Sequence, residues 1–414
     1  MHYDDYAVKC MYGYARPAER FGAGPALRRP NRLASLHHLT PLGFQCNNTF
    51  QQTLKMPILV KERNLAREAA GRLAAALREV PFLAPASIRQ ESTRGDSRVD
   101  FILTVRSPSI NRRLVCEVRS SGQPRIAREA CLTLLDYARS DKRDYPVFVA
   151  PHIAPSAAAI CDRYQIGYFD LAGNCRLAFD QVYIRREGFP NPSVQKRDLR
   201  SLYSPKAERI LRVLLTAGKR SWRMQELGDE ASVSLGHVAN VKKLLSDREW
   251  IEAEAGGFRL RSLDAAVLSI LTEWAGNYRI ERSTAREYYS LKPIPQMEAE
   301  IAAASRRLKA RLAFSGFSGA VRFAPAVRYQ RVTAYFLGDL PALTDRLGLK
   351  PVSSGANVTF LDPYDEGVLY GTQEVERAPV VSPVQLYLDL MQTKGRGDEA
   401  ASAILEEVIK PIWR

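Results

Sequence analysis

Between residues 60 and 187 the spacing of apolar positions changes in a way that assigns successive elements. Leu65, Ala69, Leu73, Ala76 and Leu77 share one helical face over residues 60–80. Strand-type runs follow at 99–105 and 113–119, then a helix over 126–138, a buried-type strand at 146–150 and a helix over 157–164. Strands at 166–170 and 182–184 close the series, with the turn Asp170-Leu171-Ala172-Gly173-Asn174 between them. A hairpin followed by alternating strands and helices predicts a mixed sheet flanked by helices.

The pattern then breaks at Gly188-Phe189-Pro190-Asn191-Pro192-Ser193 and resumes with a different order. Ser204-Pro205 is a cap and first-turn signal for a helix burying Ala207, Ile210, Leu211, Leu214 and Leu215, ended by Gly218. A short strand at 221–223, a helix at 224–230, a turn at 231–233 and a third helix from Ser234 come next. In that third helix Leu235, Val238, Val241, Leu244 and Leu245 form the apolar stripe. Two strand runs at 250–254 and 258–261 flank Gly256-Gly257, the mark of a hairpin. This order predicts a winged helix-turn-helix over residues 204–262.

Beyond it the periodicity predicts a helix over 263–278, a basic helix over 297–312 and strands at 332–337 and 357–361 around a helix at 340–347. Ser382-Pro383 starts a further helix, and Gly395 to Gly397 turns the chain into the last one. The expected organisation is a disordered leader over 1–55, an α/β domain over 56–187, a linker over 188–203, the winged helix, and an α+β domain over 263–414. Two or three domains suit a chain of 414 residues.

Charge narrows the choice of partner. The formal net charge is +15 and the sequence pI about 9.6, which favours a polyanion. From Arg185 to Arg223 eleven Lys or Arg face three acids. The six cysteines are far apart with no CxxC pair, as in a reduced cytoplasmic protein, and with five histidines no zinc or histidine-nucleophile site is expected. No apolar run is long enough to cross a membrane and no signal-peptide plan opens the chain; a cytoplasmic location is expected.

The candidate chemistry is therefore recognition of duplex DNA. Opposite the apolar stripe of the third helix, Ser234 opens a face carrying Gly236, His237, Asn240 and Lys243. A small residue admits the backbone to the groove, Asn bonds adenine edges twice, and Lys reaches phosphate or guanine. Lys242, Arg220, Arg223, Arg259 and Arg261 are the expected backbone contacts. Asp362, Asp365, Glu366 and Glu374 lie near Pro363 and Gly367 and read as a surface turn rather than a metal site. Residues 314–320 are Gly- and Ser-rich but lack the lysine and spacing of a phosphate loop.

Two resemblances add to this reading. Asp100 on one strand and Glu117-Val118-Arg119 on the next make residues 60–187 similar to the PD-(D/E)xK restriction-endonuclease-like fold. In active members two carboxylates hold a divalent metal such as Mg2+ and a lysine assists. The resemblance implies Asp100 and Glu117 as ligands, with Arg119 in the lysine position and Val99 where the motif has proline. Arginine stabilises charge but does not share a proton at usable pH. The reading preferred is a sheet that no longer cleaves, its acids paired with Arg106 or Arg119; a metal-dependent nuclease is the alternative.

The second resemblance rests on residues 381–390, Val-Ser-Pro-Val-Gln-Leu-Tyr-Leu-Asp-Leu, and 395–401, Gly-Arg-Gly-Asp-Glu-Ala-Ala. From Ser204 to the C-terminus the chain looks like the AbiEi-type antitoxins of type IV toxin–antitoxin systems. What this implies is a transcriptional autorepressor that binds inverted repeats as a homodimer and counteracts a nucleotidyltransferase-type toxin.

Overall fold

The computed structural model describes residues 49–94, 97–190 and 202–414. Most of the expected leader and the middle of the expected linker lie outside the described residues. The first helix, α1 (Thr49–Arg78), begins inside the segment 1–55 that was expected to lack structure.

Its buried face, Ala66, Ala69, Ala70, Leu73, Ala74 and Leu77, covers one side of a seven-stranded mixed sheet. The strands run in sequence order: β1 (Ala84–Arg94), β2 (Ser97–Ser107), β3 (Ile110–Val118), β4 (Asp144–Ala150), β5 (Gly167–Asp170), β6 (Cys175–Phe179) and β7 (Val182–Arg186). The pairs β3/β4 and β4/β5 are parallel and the others antiparallel. Helices α2 (Pro124–Ala138) and α3 (Pro155–Arg163) share a second core with the sheet, built from Val115, Phe148, Cys131, Leu134 and Ile160 among others. The mixed sheet flanked by helices is thus as expected. Strand β1 escaped the reading because Ser87, Ile88, Arg89, Gln90 and Glu91 are all exposed on an edge paired only to β2. Strand β6 was missed because its alternation of buried Cys175, Leu177 and Phe179 is only five residues long. Cys116, Cys131, Cys161 and Cys175 are buried free thiols.

Three helices and a hairpin follow in the predicted order: α4 (Pro205–Thr216), α5 (Met224–Glu230), α6 (Leu235–Asp247), β8 (Ile251–Glu254) and β9 (Gly257–Leu260). The hairpin turns at Gly256, with φ at +79°, and Gly257 is confined: a Cβ there would lie 2.6 Å from the carbonyl oxygen of Trp222. That close approach lets Trp222 and Phe258 exchange both backbone hydrogen bonds, at 2.8 and 3.0 Å, adding a one-residue strand. Leu235 departs from the expected stripe and is exposed, whereas Val238, Val241, Leu244 and Leu245 are buried.

After a π-type turn at Leu263–Val267, α7 (Leu268–Asn277) leads into a second seven-stranded sheet. Its strands are β10 (Thr284–Tyr289), β11 (Arg311–Phe314), β12 (Val332–Leu337), β13 (Lys350–Pro351), β14 (Val358–Asp362), β15 (Gln373–Val375) and β16 (Ala378–Val380), in the order β13-β10-β14-β12-β11-β16-β15. Helices α8 (Ile294–Arg307), α9 (Gly316–Phe323), α10 (Leu340–Leu347), α11 (Pro383–Met391) and α12 (Gly397–Ile404) accompany it. The basic helix expected over 297–312 ends at Arg307; Lys309 has φ at +53° and Arg311 opens β11. As expected, Ser382 caps α11, its hydroxyl accepting from the Gln385 amide. One hydrophobic core runs from Leu202 through the helix-hairpin module to Trp413, so the module is fused to the sheet that follows it. The chain is an α/β and α+β multidomain assembly.

Candidate nucleic-acid interface

Helix α6 buries one face against α4 and α5 and leaves the other open. Gly236, His237, Asn240 and Lys243 are exposed together on it, beside Ser234 at its start. The Ser234 hydroxyl lies 2.9 Å from His237 Nδ1, which fixes that ring and leaves Nε2 for an outside partner. On the same helix Lys242 reaches the hairpin, its ammonium 5.0 Å from the Phe258 ring centroid.

The expected backbone contacts divide into two groups. Arg223 and Arg261 are exposed. Arg259, by contrast, is ion-paired to Glu252 and Glu254 on its own hairpin. Arg220 pairs with Glu226 and lies over the Trp222 ring at 3.9 Å. The sequence-level basic run is similarly depleted: Arg209 holds Asp365, Arg212 is fully buried, Arg185 pairs with Glu187, and Arg186 with Glu79.

At its other end α6 is held by the first sheet domain. Arg125 on α2 donates to Asp247, the last residue of α6, with Nε at 3.0 Å. One turn later Arg128 makes a two-pronged contact to Glu249, both bonds 3.0 Å, which lowers the Glu249 carboxyl below its usual range. Nothing in the sequence separated these arginines from ordinary surface charge.

In the first sheet Asp100 and Glu117 stand on neighbouring strands, one step past the Phe101–Cys116 pair, and share the parity of Ile102 and Val115. Asp100 Oδ2 accepts the Val118 amide at 2.7 Å. Glu117 is buried, and desolvation pushes its carboxyl up to about 7 against the pull of Arg119. Arg119 Nη1 sits 2.5 Å from Glu117 Oε1. No cluster of three His, Cys, Asp or Glu side chains with metal-site spacing occurs among the described residues. A divalent cation at this pair would have to displace the Arg119 guanidinium from Glu117. The acids near the surface turn are also engaged: Asp365 by Arg209, Glu374 by Arg306, and Glu366 3.8 Å from Arg311.

A buried polar network, which residue patterns did not reveal, joins the helix-hairpin module to the second sheet. Arg212 donates to Gln385 Oε1 from Nε at 2.9 Å and Nη2 at 2.6 Å, and to the Tyr364 hydroxyl at 3.0 Å. Gln385 in turn donates to Tyr278 and Asp389. Asp389 accepts four bonds, from Ser315, Tyr278, Tyr335 and Gln385, while its burial raises its pKa. Glu208 accepts from Arg282 at 2.8 Å and from Tyr364. Gln385 and Asp389 belong to the very segment, 381–390, that carried the C-terminal resemblance.

The helix-hairpin module, with one open helical face, is locked to an α+β domain through this network. Residues 266–410 are similar to the family described as transcriptional regulator, AbiEi antitoxin, type IV TA system, whose model they match. The match begins within the turn after the hairpin, so it covers less than the expected span from Ser204. A search of curated proteins gives no match. No described helix is long and apolar enough to cross a membrane.

Proposed function

We propose that this protein is a cytoplasmic antitoxin of a type IV toxin–antitoxin system that represses its own operon by binding duplex DNA. The helix-hairpin module is read as a winged helix, α6 entering the major groove and the hairpin lying on the adjacent backbone. The observation that carries this reading is the open face of α6, where Gly236, His237, Asn240 and Lys243 project away from the core beside the hairpin. Asn240 and His237 would read base edges, while Lys243, Lys242, Arg223 and Arg261 would meet phosphates. Palindromic operators imply a homodimer, and the AbiEi domain would act against a nucleotidyltransferase-type toxin.

The rival reading is a metal-dependent nuclease directed by the same module, with Asp100 and Glu117 as Mg2+ ligands. The Glu117–Arg119 ion pair supports the non-enzymatic reading over it. One assay tests both: the full chain is incubated with the duplex upstream of its own gene and an unrelated competitor, with and without magnesium. Retention of the upstream duplex, uncut in both lanes, is expected. Magnesium-dependent cuts that Asp100→Ala abolishes would assign the activity to the first sheet domain.

A further inference from the structure

In the second sheet domain, the loops before β12 and β14, the start of α9 and the residues after α11 line an open cleft of about 750 Å³. That volume lies in the range of small-molecule sites. Its wall carries Arg328, Arg331 and Lys394, and no carboxylate lines it. Arg331 reaches Glu287 outside the wall at 3.1 Å. Arg328 and Lys394 are exposed and engage no carboxylate among the described residues. Two cations without a carboxylate partner, beside Arg331, give the wall a net positive charge suited to a compact polyanion, and both guanidinium and ammonium groups bind phosphate oxygens strongly.

The same wall offers aromatic surface. Phe317 and Tyr329 both line it, and the Tyr329 hydroxyl is anchored on Glu298 at 2.8 Å, which holds that ring in place. Aromatic faces take nucleobases by stacking without demanding one base. Thr333, Gln330 and Thr393 add neutral hydrogen-bonding groups between the cations and the rings. Acidic side chains line other cavities of the molecule, such as the one bordered by Arg306 and Glu374 or by Arg185 and Glu187, which makes them poor phosphate sites.

We propose that this cleft binds a nucleotide, its phosphates on Arg328, Arg331 and Lys394 and its base against Phe317 or Tyr329. The site is separate from the DNA-reading face of α6 and does not rest on that assignment.

The test is calorimetric titration of the full chain with ATP, GTP, AMP, pyrophosphate and inorganic phosphate, with a duplex DNA titration alongside. Saturable one-to-one binding of a nucleoside triphosphate, tighter than AMP or inorganic phosphate, is expected. Arg328→Gln combined with Lys394→Gln should weaken it by about tenfold or more, with the melting temperature unchanged because both side chains are exposed. The proposal is overturned by absence of binding to every probe at millimolar concentration, or by nucleotide affinity unaltered in the double variant. Pyrophosphate binding as tightly as ATP would remove the base from the site. Loss of duplex affinity with nucleotide affinity retained would make the cationic wall a nucleic-acid contact instead.

Discussion

Arg212 and Gln385, 173 residues apart in sequence and both fully buried, meet through two hydrogen bonds onto a single amide oxygen. One belongs to the first helix of the helix-hairpin module and the other to the second sheet domain, so the two regions are joined by a polar contact that water does not reach. A guanidinium is tolerable there because Glu208, Tyr364 and the Trp274 ring surround it. Removing one partner of such a buried set strands the others.

Arg212→Ala should therefore destabilise the fold by roughly 3–5 kcal/mol, the usual result of breaking a buried charge pair. Gln385→Ala should cost less, and the double variant less than the sum, because the two side chains share their bonds. Denaturant unfolding of the four proteins checks this; strict additivity would show that the contact is energetically idle.

The second prediction concerns the hairpin. Since Arg259 is already neutralised by Glu252 and Glu254, Arg259→Gln should change DNA affinity little. Arg223→Gln and Arg261→Gln should each weaken all duplexes alike and lower the salt slope by about one counterion. Salt-dependent titrations with an unrelated duplex distinguish the three.

Glu117 supplies a pH dependence whose sign is fixed by its burial. Its carboxyl is raised to about 7 in the folded protein, so the folded state binds the proton more tightly than the unfolded chain does. The stabilising contribution is complete below the ordinary carboxyl range near 4.5 and is lost as pH rises through about 7. Glu117→Gln should remove this decline, and the variant should gain on the wild type at pH 8. Melting temperatures from pH 5 to 8 test it; parallel curves for the two proteins would contradict the raised Glu117 pKa.

The clamp on α6 yields a fourth expectation. Arg128→Ala leaves Glu249 without its two-pronged partner at a half-buried site, and Arg125→Ala does the same for Asp247. The double variant should expose the α2–α6 junction to limited proteolysis while the melting of each core persists. An unchanged digestion pattern would mean that α2 and α6 stay together without these ion pairs.

The helix-hairpin module was the most legible part of the chain because every element carried a local signal. Ser204-Pro205 started α4, the Gly256-Gly257 pair turned the hairpin, and the spacing of Val238, Val241, Leu244 and Leu245 fixed the inward face of α6. Leu235 misled because an apolar residue in register at a helix start has no neighbour to cover it. Lys309 and Arg311 misled in the opposite way: the basic pattern continued smoothly, but a left-handed residue at Lys309 ended the helix. Which arginines are exposed was not legible at all. Arg209, Arg212 and Arg259 look like their neighbours Lys206 and Arg261 in sequence, and only carboxylates brought from as far as Asp365 separate them. The buried network was hidden for the same reason, since its members come from six separated segments.

The most direct measurement of the central claim is competition binding of the wild type and Asn240→Ala to the duplex upstream of the gene and to a scrambled duplex of equal length. The wild type is expected to prefer the upstream duplex. Asn240→Ala should lose roughly 1–3 kcal/mol of that preference while still binding both. Preference retained in full by Asn240→Ala would contradict the placement of α6 in the groove, and a wild type that does not distinguish the two duplexes would contradict the operator-binding function itself.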